Sequence, residues 1–340
     1  MPGETRDANR RIQNLSSKVN LMPPKEPPSE AAYFLGFDGG GTKTDCVLTD
    51  ANGRILARAV AGPSNPLRSG YTKAWFSLSE AADVVLCHQK IRAENIRAIC
   101  AGLGGAGRSD VVRRAVTFFE RGFPDAEVHV TSDLEIALEA AFGTGEGIIL
   151  LGGTGSAALA RDANGRTARA GGRGPWFSDE GSAFDIGRRA MAAIVLADEH
   201  RGPATALSGR ILKAHEAHDW KMLMDLVTKN PDSVFPKNFP LVAELAEAGD
   251  AVSRELLADA ATALAGLAGA VAKEIGATKR EMPLAKVGGI FGRSPYFDSL
   301  IDAELQKTVP RHRLVIPAIS PAEAAARMAI RLTTAKGNAA

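Results

Sequence analysis

Phe37-Asp38-Gly39-Gly40-Gly41-Thr42-Lys43-Thr44 decides the reading of this chain, because its core returns as Gly152-Gly153-Thr154-Gly155-Ser156. Gly152 follows Gly40 by 112 residues, and Asp162-Ala163-Asn164-Gly165-Arg166 follows Asp50-Ala51-Asn52-Gly53-Arg54 by the same interval. An apolar run precedes each copy, Tyr33 to Phe37 and Ile148 to Leu151. Each copy therefore reads as strand, glycine-rich turn, strand, Asn-Gly turn, strand. Two such hairpins, one per half of the chain, can face each other across a cleft and present backbone N–H groups to one anion.

The residue types in the turns suit a polyphosphate. Backbone approaches a phosphate closely only where no Cβ intervenes, which selects Gly40, Gly41, Gly153 and Gly155. Thr42, Thr44, Thr154 and Ser156 offer hydroxyls, and Lys43 offers a point charge. Asp38, closing the first strand, is placed to hold hydrated magnesium, which takes one or two carboxylates together with substrate phosphates.

The 340 residues suffice for about two domains. A 45% hydrophobic and 24% charged composition is that of an ordinary globular protein. A net charge of +2 supplies no broad field for nucleic acid or a membrane surface, so neither is expected as a partner. Cys46, Cys87 and Cys100 form no CxxC pair, which points to a reducing, cytoplasmic setting without disulfides. The six histidines show no metal-ligand spacing, and no apolar run is expected to cross a membrane. Residues 1–30 are polar and end in Pro23-Pro24-Lys25-Glu26-Pro27-Pro28, which predicts a disordered tail without the apolar core of a secretory signal.

Helical spacing is expected over 71–90, 111–120 and 134–142, and strands over 96–103 and 128–131. The mixture of hairpins and βα units predicts an α/β domain with a mixed sheet. The second half opens with the repeated hairpin at Gly147 and is largely helical from 184 to 275, where the apolar positions of Val252 to Ile275 belong to a core or a dimer interface. A strand over 284–290 ends in Gly288-Gly289, a last strand covers 314–316, and Pro321 opens an Ala-rich final helix. The division reads as an N-terminal lobe over 31–131 joined by the final helix 321–335, and a C-terminal lobe over 132–320.

These motifs carry a resemblance. Phe37 to Thr44 resembles the first phosphate motif of the actin/hexokinase/Hsp70 superfamily, and Gly152 to Ser156 its second. Val287-Gly288-Gly289-Ile290-Phe291 resembles its adenosine motif, and Thr131-Ser132-Asp133 its first connecting motif. Gly171 to Ala183, containing Asp179-Glu180-Gly181-Ser182, is similar to the corresponding region of the BadF/BadG/BcrA/BcrD ATPase family, which includes N-acetylglucosamine kinases. The resemblance spans about residues 33–335. It implies a two-lobed actin-like ATPase (ribonuclease H-like) fold, with duplicated mixed-sheet domains around a nucleotide cleft. It further implies ATP and Mg2+ as cofactors, a sugar as the small-molecule substrate, a homodimer, and a final helix returning to the N-terminal lobe.

The resemblance also implies roles. Gly40, Gly41, Thr42, Lys43, Thr44, Ser132, Gly153, Thr154, Gly155, Ser156, Gly288, Gly289 and Ser294 would hold the nucleotide. Asn65, Gly172, Arg173, Gly174, Asp179 and Glu180 would hold the sugar. Asp133, following a buried strand, is the expected general base, since phosphoryl transfer asks a carboxylate to accept the proton of the attacking hydroxyl. A plain helix N-cap accounts for Asp133 equally simply, and a turn residue or cap for Asn65 and Asp179. The chain departs from the vertebrate-type pattern twice. Gly107 stands where that pattern has an aspartate, with Asp110 the nearest acid, and Arg173 takes a tryptophan position while Trp176 is displaced. The expectation is an ATP-dependent kinase for N-acetylglucosamine or glucosamine, acting at the 6-hydroxyl. The alternatives are an ATPase activator of a dehydratase or reductase, which would need cysteines for a bridging iron–sulfur cluster, and a non-catalytic sugar- or ATP-binding regulator.

Overall fold

The structure, a computed structural model, describes residues 32–337. The expected tail at 1–30 lies outside the described residues. The chain divides into two units, one of residues 1–140 with 318–340 and one of residues 141–317.

The first unit is built on a five-stranded sheet. β1 (Tyr33–Gly39), β2 (Thr44–Asp50) and β3 (Ile55–Ala61) form an antiparallel meander, and β4 (Ile96–Leu103) and β5 (Glu127–Ser132) extend it parallel to β1. The order is β3-β2-β1-β4-β5. Leu35, Phe37, Cys46, Leu48 and Ile99 point to one face, where they meet Leu78 and Val85 of α1 (Tyr71–Gln89) and Ala115 and Phe119 of α2 (Ser109–Gly122). The alternate residues Phe34, Ala98 and Cys100 meet Ile136 of α3 (Asp133–Phe142) with Ala325 and Ala329 of the Ala-rich final helix. Period-two alternation thus gives the sheet two buried faces.

That final helix, running Pro321–Gly337, rests directly on β1. A Cβ on Gly36 would lie 2.1 Å from Ala322 O and 2.2 Å from Ala326 N, so only glycine opposite a run of alanines permits this approach. Arg331 pairs with Glu139 of α3 at 2.5 Å. Because α3 packs on this face, the division falls after Ala140 rather than at 131.

The second unit repeats the plan. β6 (Gly147–Gly152), β7 (Ser156–Arg161) and β8 (Thr167–Gly171) form the meander, and β9 (Met282–Val287) and β10 (His312–Leu314) add the parallel strands, in the order β10-β9-β6-β7-β8. Five helices of eight or more residues stand between β8 and β9: α4 (Ala183–Asp198), α5 (Leu207–Ala214), α6 (Trp220–Lys229), α7 (Phe239–Glu247) and α8 (Ala251–Glu274). α9 (Pro295–Thr308) connects β9 to β10, as α2 connects β4 to β5. α8 is long and apolar enough, by length and composition alone, to cross a membrane. Leu257, Ala261, Leu264 and Ala268 of α8 are instead packed in the unit's core with Ile148 and Leu150. The last strand occupies 312–314 rather than 314–316. Val315 N still donates to Leu284 O, after which Ile316 stands exposed before Pro317.

The far turns of the two hairpins are superimposable in their bonding. Asp50 Oδ1 accepts from Asn52 N and Arg54 N at 2.9 and 3.0 Å, and Asp162 Oδ1 accepts from Asn164 N and Arg166 N, both at 2.9 Å. Gly53 and Gly165 supply the left-handed residue, at φ +76° and +81°.

Candidate functional site

In the first unit the parallel strands end level: Gly39 lies opposite Leu103, and Leu103 opposite Ser132. Asp38 and Asp133 therefore emerge at one edge, the carboxyl ends of parallel strands where α/β folds bind ligands. Burial, then the nearby charges of Asp133 and Asp45, push Asp38 up from 3.8 to about 7, while Lys43 and Arg58 pull it down. Asp45 sits directly across the ladder from Asp38 and takes both nitrogens of the Arg58 fork, Nε at 2.9 Å and Nη2 at 2.5 Å. Excess negative charge at Asp38, with exposed Lys43 beside it, is a place where a bound cation relieves repulsion. Among the described residues no three acids, histidines or cysteines converge on a metal site. Two neighbouring carboxylates, Asp38 and Asp133, are the donor type that magnesium takes alongside phosphates and water.

Asp133 opens α3, but the capping there belongs to Ser132. Ser132 Oγ accepts from Glu135 N at 3.3 Å, and Glu135 Oε2 accepts from Ser132 N at 3.1 Å, a reciprocal capping box. Asp133 Oδ1 accepts from its neighbour Leu134 N at 3.0 Å. Its carboxylate is not the cap that closes the helix. Ser132, expected at the nucleotide, instead spends its hydroxyl on the box.

The first glycine turn closes with Gly40 N donating to Lys43 O, and Thr42 and Lys43 project into solvent. Thr44 does not. It is fully buried, 2.7 Å from both Gly62 O and Ser64 Oγ, so its hydroxyl is held within the unit. Asn65 follows Ser64 and caps the single turn Pro66–Ser69, accepting from Leu67 N at 3.0 Å. Both Ser64 N and Asn65 N donate to Gly40 O, and the Asn65 amide lies against Gly104. Arg68, which sequence reasoning passed over, lays its stem on Gly41, where a Cβ would be 3.3 Å from its Cδ. Its only signal was its place three residues beyond Asn65. Asp110, the acid nearest Gly107, pairs with Arg108 at 3.1 Å, and that bond holds it below the usual carboxylate range. Gly107 is exposed in the turn before it.

In the second unit the Gly153–Gly155 turn is gathered with two other segments. Gly153 N donates to Gly155 O, and a Cβ on Gly155 would strike the Asp179 carboxylate at 2.8 Å. Asp179 is 4% exposed, stands in the left-handed region at φ +66°, and accepts from Ser156 N at 3.4 Å. A buried acid in that backbone conformation is strained, a condition that clusters at functional sites. Gly288, at φ +115°, passes so close to Gly152 that a Cβ would lie 2.2 Å from its carbonyl oxygen, and Gly289 faces open space. Ser156, like Thr44, is buried, and its hydroxyl donates to Glu180 O at 2.7 Å. Gly172 N donates to Ser156 O, which brings the Gly172-Arg173-Gly174 loop to the same strand end, with the Arg173 and Glu180 side chains exposed. Trp176 is 69% exposed at its tip. Ser294 does not join this group. It is the buried N-cap of α9, donating to Glu247 Oε1 at 2.6 Å and accepting from Phe297 N. Thr154 sits half-buried in the turn.

Cys46 and Cys100 are buried within the first sheet, and desolvation pushes Cys100 up to about 12 and Cys46 well above its ordinary value. Neither is poised as a thiolate ligand.

The chain is similar to known proteins. An N-acetyl-D-glucosamine kinase of Dictyostelium discoideum is 30% identical over 315 residues, covering 87% of this chain and 97% of the relative. An N-acetylmuramic acid/N-acetylglucosamine kinase of Clostridium acetobutylicum is 29% identical over 287 residues, covering 83% and 93%. The solved structure of a candidate N-acetylglucosamine kinase from Chromobacterium violaceum matches with a TM-score of 0.70 and 26% identity, over 88% of this chain and 99% of that one. The repeated sheet order and this likeness identify the actin-like ATPase fold. The sequence profile of the BadF/BadG/BcrA/BcrD ATPase family matches residues 35–329, nearly the whole described chain, and the protein belongs to that family.

Proposed function

We propose that this protein is an ATP-dependent amino-sugar kinase that phosphorylates N-acetylglucosamine or glucosamine at the 6-hydroxyl. The observation that carries the reading is the meeting of Asp38 and Asp133 at one strand edge beside the Gly40–Lys43 turn, with capping left to Ser132. The names of the relatives supply the substrate class.

In this reading Asp133 accepts the proton of the attacking hydroxyl. Lys43, Thr42 and the backbone N–H groups of both glycine turns hold phosphate oxygens, where positioning and charge neutralisation do most of the work of phosphoryl transfer. Magnesium, when bound, supplies further neutralisation, and Asp38 is its carboxylate. Gly288 and Gly289 leave the adenosine room that a side chain would fill. Asp179 and Asn65 receive the sugar, with the Gly172-Arg173-Gly174 loop and Glu180 near by.

Support against the activator reading comes from the two buried thiols, neither in a glycine-rich loop. The regulator reading rested on Gly107 and Arg173, and the carboxylate pair stands without them. We take the enzyme to be cytoplasmic, as its unpaired cysteines suit, and homodimeric, as the resemblance implies; light scattering on the purified protein tests the latter.

The test is ADP release with ATP and Mg2+ against glucosamine, N-acetylglucosamine, N-acetylmuramic acid, N-acetylmannosamine and glucose. Strong stimulation by an amino sugar is the expected result. Nucleotide binding without stimulation by any of the five would sink the kinase reading.

A further inference from the structure

Thr44 and Ser156 occupy the same place in the repeat, each the first residue of the strand that leaves a glycine turn. Both were expected to offer hydroxyls to phosphate. Both are buried instead, at 0% and 1% exposure, and each hydroxyl reaches a carbonyl in the loop of its own unit that carries a sugar-site candidate. Thr44 reaches Gly62 O at 2.7 Å, three residues before Asn65, and Ser156 reaches Glu180 O at 2.7 Å, next to Asp179. A hydroxyl has one proton, so Thr44 donates to Gly62 O and accepts from Ser64, which is itself fully buried and 2.7 Å away.

A second tie runs the other way in each unit. The first residue of each glycine turn offers its carbonyl: Gly40 O accepts from Ser64 N and Asn65 N at 3.1 and 3.0 Å, and Gly153 O accepts from Ala183 N, which opens α4, at 2.9 Å. In each unit a strand-opening hydroxyl and a turn carbonyl therefore both tie the glycine turn to the segment that follows the third strand. Two unrelated surface loops would have no reason to share this pattern.

We propose that Thr44 and Ser156 are equivalent positioning residues: each hydroxyl clasps the sugar-binding loop of its unit to the phosphate-binding turn, so that Asn65 and Asp179 keep their orientation for the sugar. The assignment rests on the amino-sugar kinase reading for the identity of the ligand, but the clasp itself does not. Neither side chain touches substrate in this assignment. Removing either hydroxyl loosens the loop and leaves the turn, whose own backbone bond persists, able to take up nucleotide.

Thr44→Val and Ser156→Ala remove the hydroxyls, and Thr44→Ser and Ser156→Thr retain them. We expect each deletion to raise the sugar KM about tenfold, the scale of one buried hydrogen bond, with the ATP KM changed less than about threefold and the hydroxyl-bearing variants close to wild type. Amide exchange of the ligand-free protein is the second measurement. Residues 62–65 should exchange faster in Thr44→Val alone, and residues 179–182 faster in Ser156→Ala alone, with strand amides unchanged. An ATP KM that rises in step with the sugar KM, or loops whose exchange does not change, overturns the proposal. If wild type phosphorylates no sugar, the kinase reading fails, and the exchange experiment still decides the clasp.

Discussion

Where Asp38 faces Asp45 in the first sheet, Leu151 faces Ala157 in the second. The strands, their order and the Asn-Gly turns repeat, yet the carboxylates stand in one copy only. The first unit adds Lys43 and Asp133 to that edge, whereas the second brings a buried, left-handed Asp179 and the Gly288-Gly289 backbone. The glycine turns differ too: four residues separate Gly39 from Thr44, and three separate Gly152 from Ser156. Duplication preserved what the backbone must do, which is to turn tightly and expose N–H groups. The side chains differ: the first unit carries the carboxylates Asp38, Asp45 and Asp133, and the second carries Asp179.

The sharpest way to test that difference is Asp133→Asn. It should cost at least about a hundredfold in kcat, the usual scale of general-base catalysis, with nucleotide affinity kept. Near-normal turnover by steady-state assay would move the base to another acid, Asp110 or Asp179.

Asp38→Asn tests the charge asymmetry through stability. The folded carboxyl at about 7 lies above its unfolded 3.8, so ionising it in the fold is penalised as pH rises through that interval, fully so above about 7. The variant should be more stable than wild type at pH 8 by roughly 1–3 kcal/mol, discounted for residual water access, and gain nothing of this kind at pH 4. Urea unfolding at the two pH values measures it, and an equal change at both would show that packing, not charge, governs the site.

Lys43→Ala should weaken nucleotide binding about tenfold, the worth of one charge-assisted contact, by calorimetric titration. An unchanged affinity would remove the one cation that distinguishes the first turn from the second. The smallest effect is expected at the exposed loop of the second unit. Arg173→Ala should change the KM for a neutral amino sugar less than about twofold, as for a surface substitution away from contacts. A selective loss with N-acetylmuramic acid would instead assign Arg173 to its carboxylate.

Much of this was legible in the chain. The repeat predicted both hairpins, because a glycine turn and an Asn-Gly turn each impose local backbone geometry that neighbouring residues alone dictate. Helices at 71–90 and 134–142 and the strand at 96–103 followed from period and caps for the same reason. The bond of Ser294 to Glu247 could not be read because the partner is distant in sequence, and the cap at Ser132 needed the Glu135 geometry to be recognised. The hydroxyls of Thr44 and Ser156 looked like phosphate donors from their spacing alone.

The sequence by itself determined the duplicated strand-turn-strand scaffold, the positions of the glycines and the family, since all of these depend on local φ/ψ demands and on motif order. Only the tertiary structure decided which side chains are free to act. Strand register set Asp38 against Asp45, level strand ends brought Asp133 to the same edge, and burial turned Thr44 and Ser156 inward. Those outcomes depend on pairings between residues far apart in the chain, and neither composition nor periodicity encodes which distant group will desolvate a carboxylate or accept a hydroxyl proton.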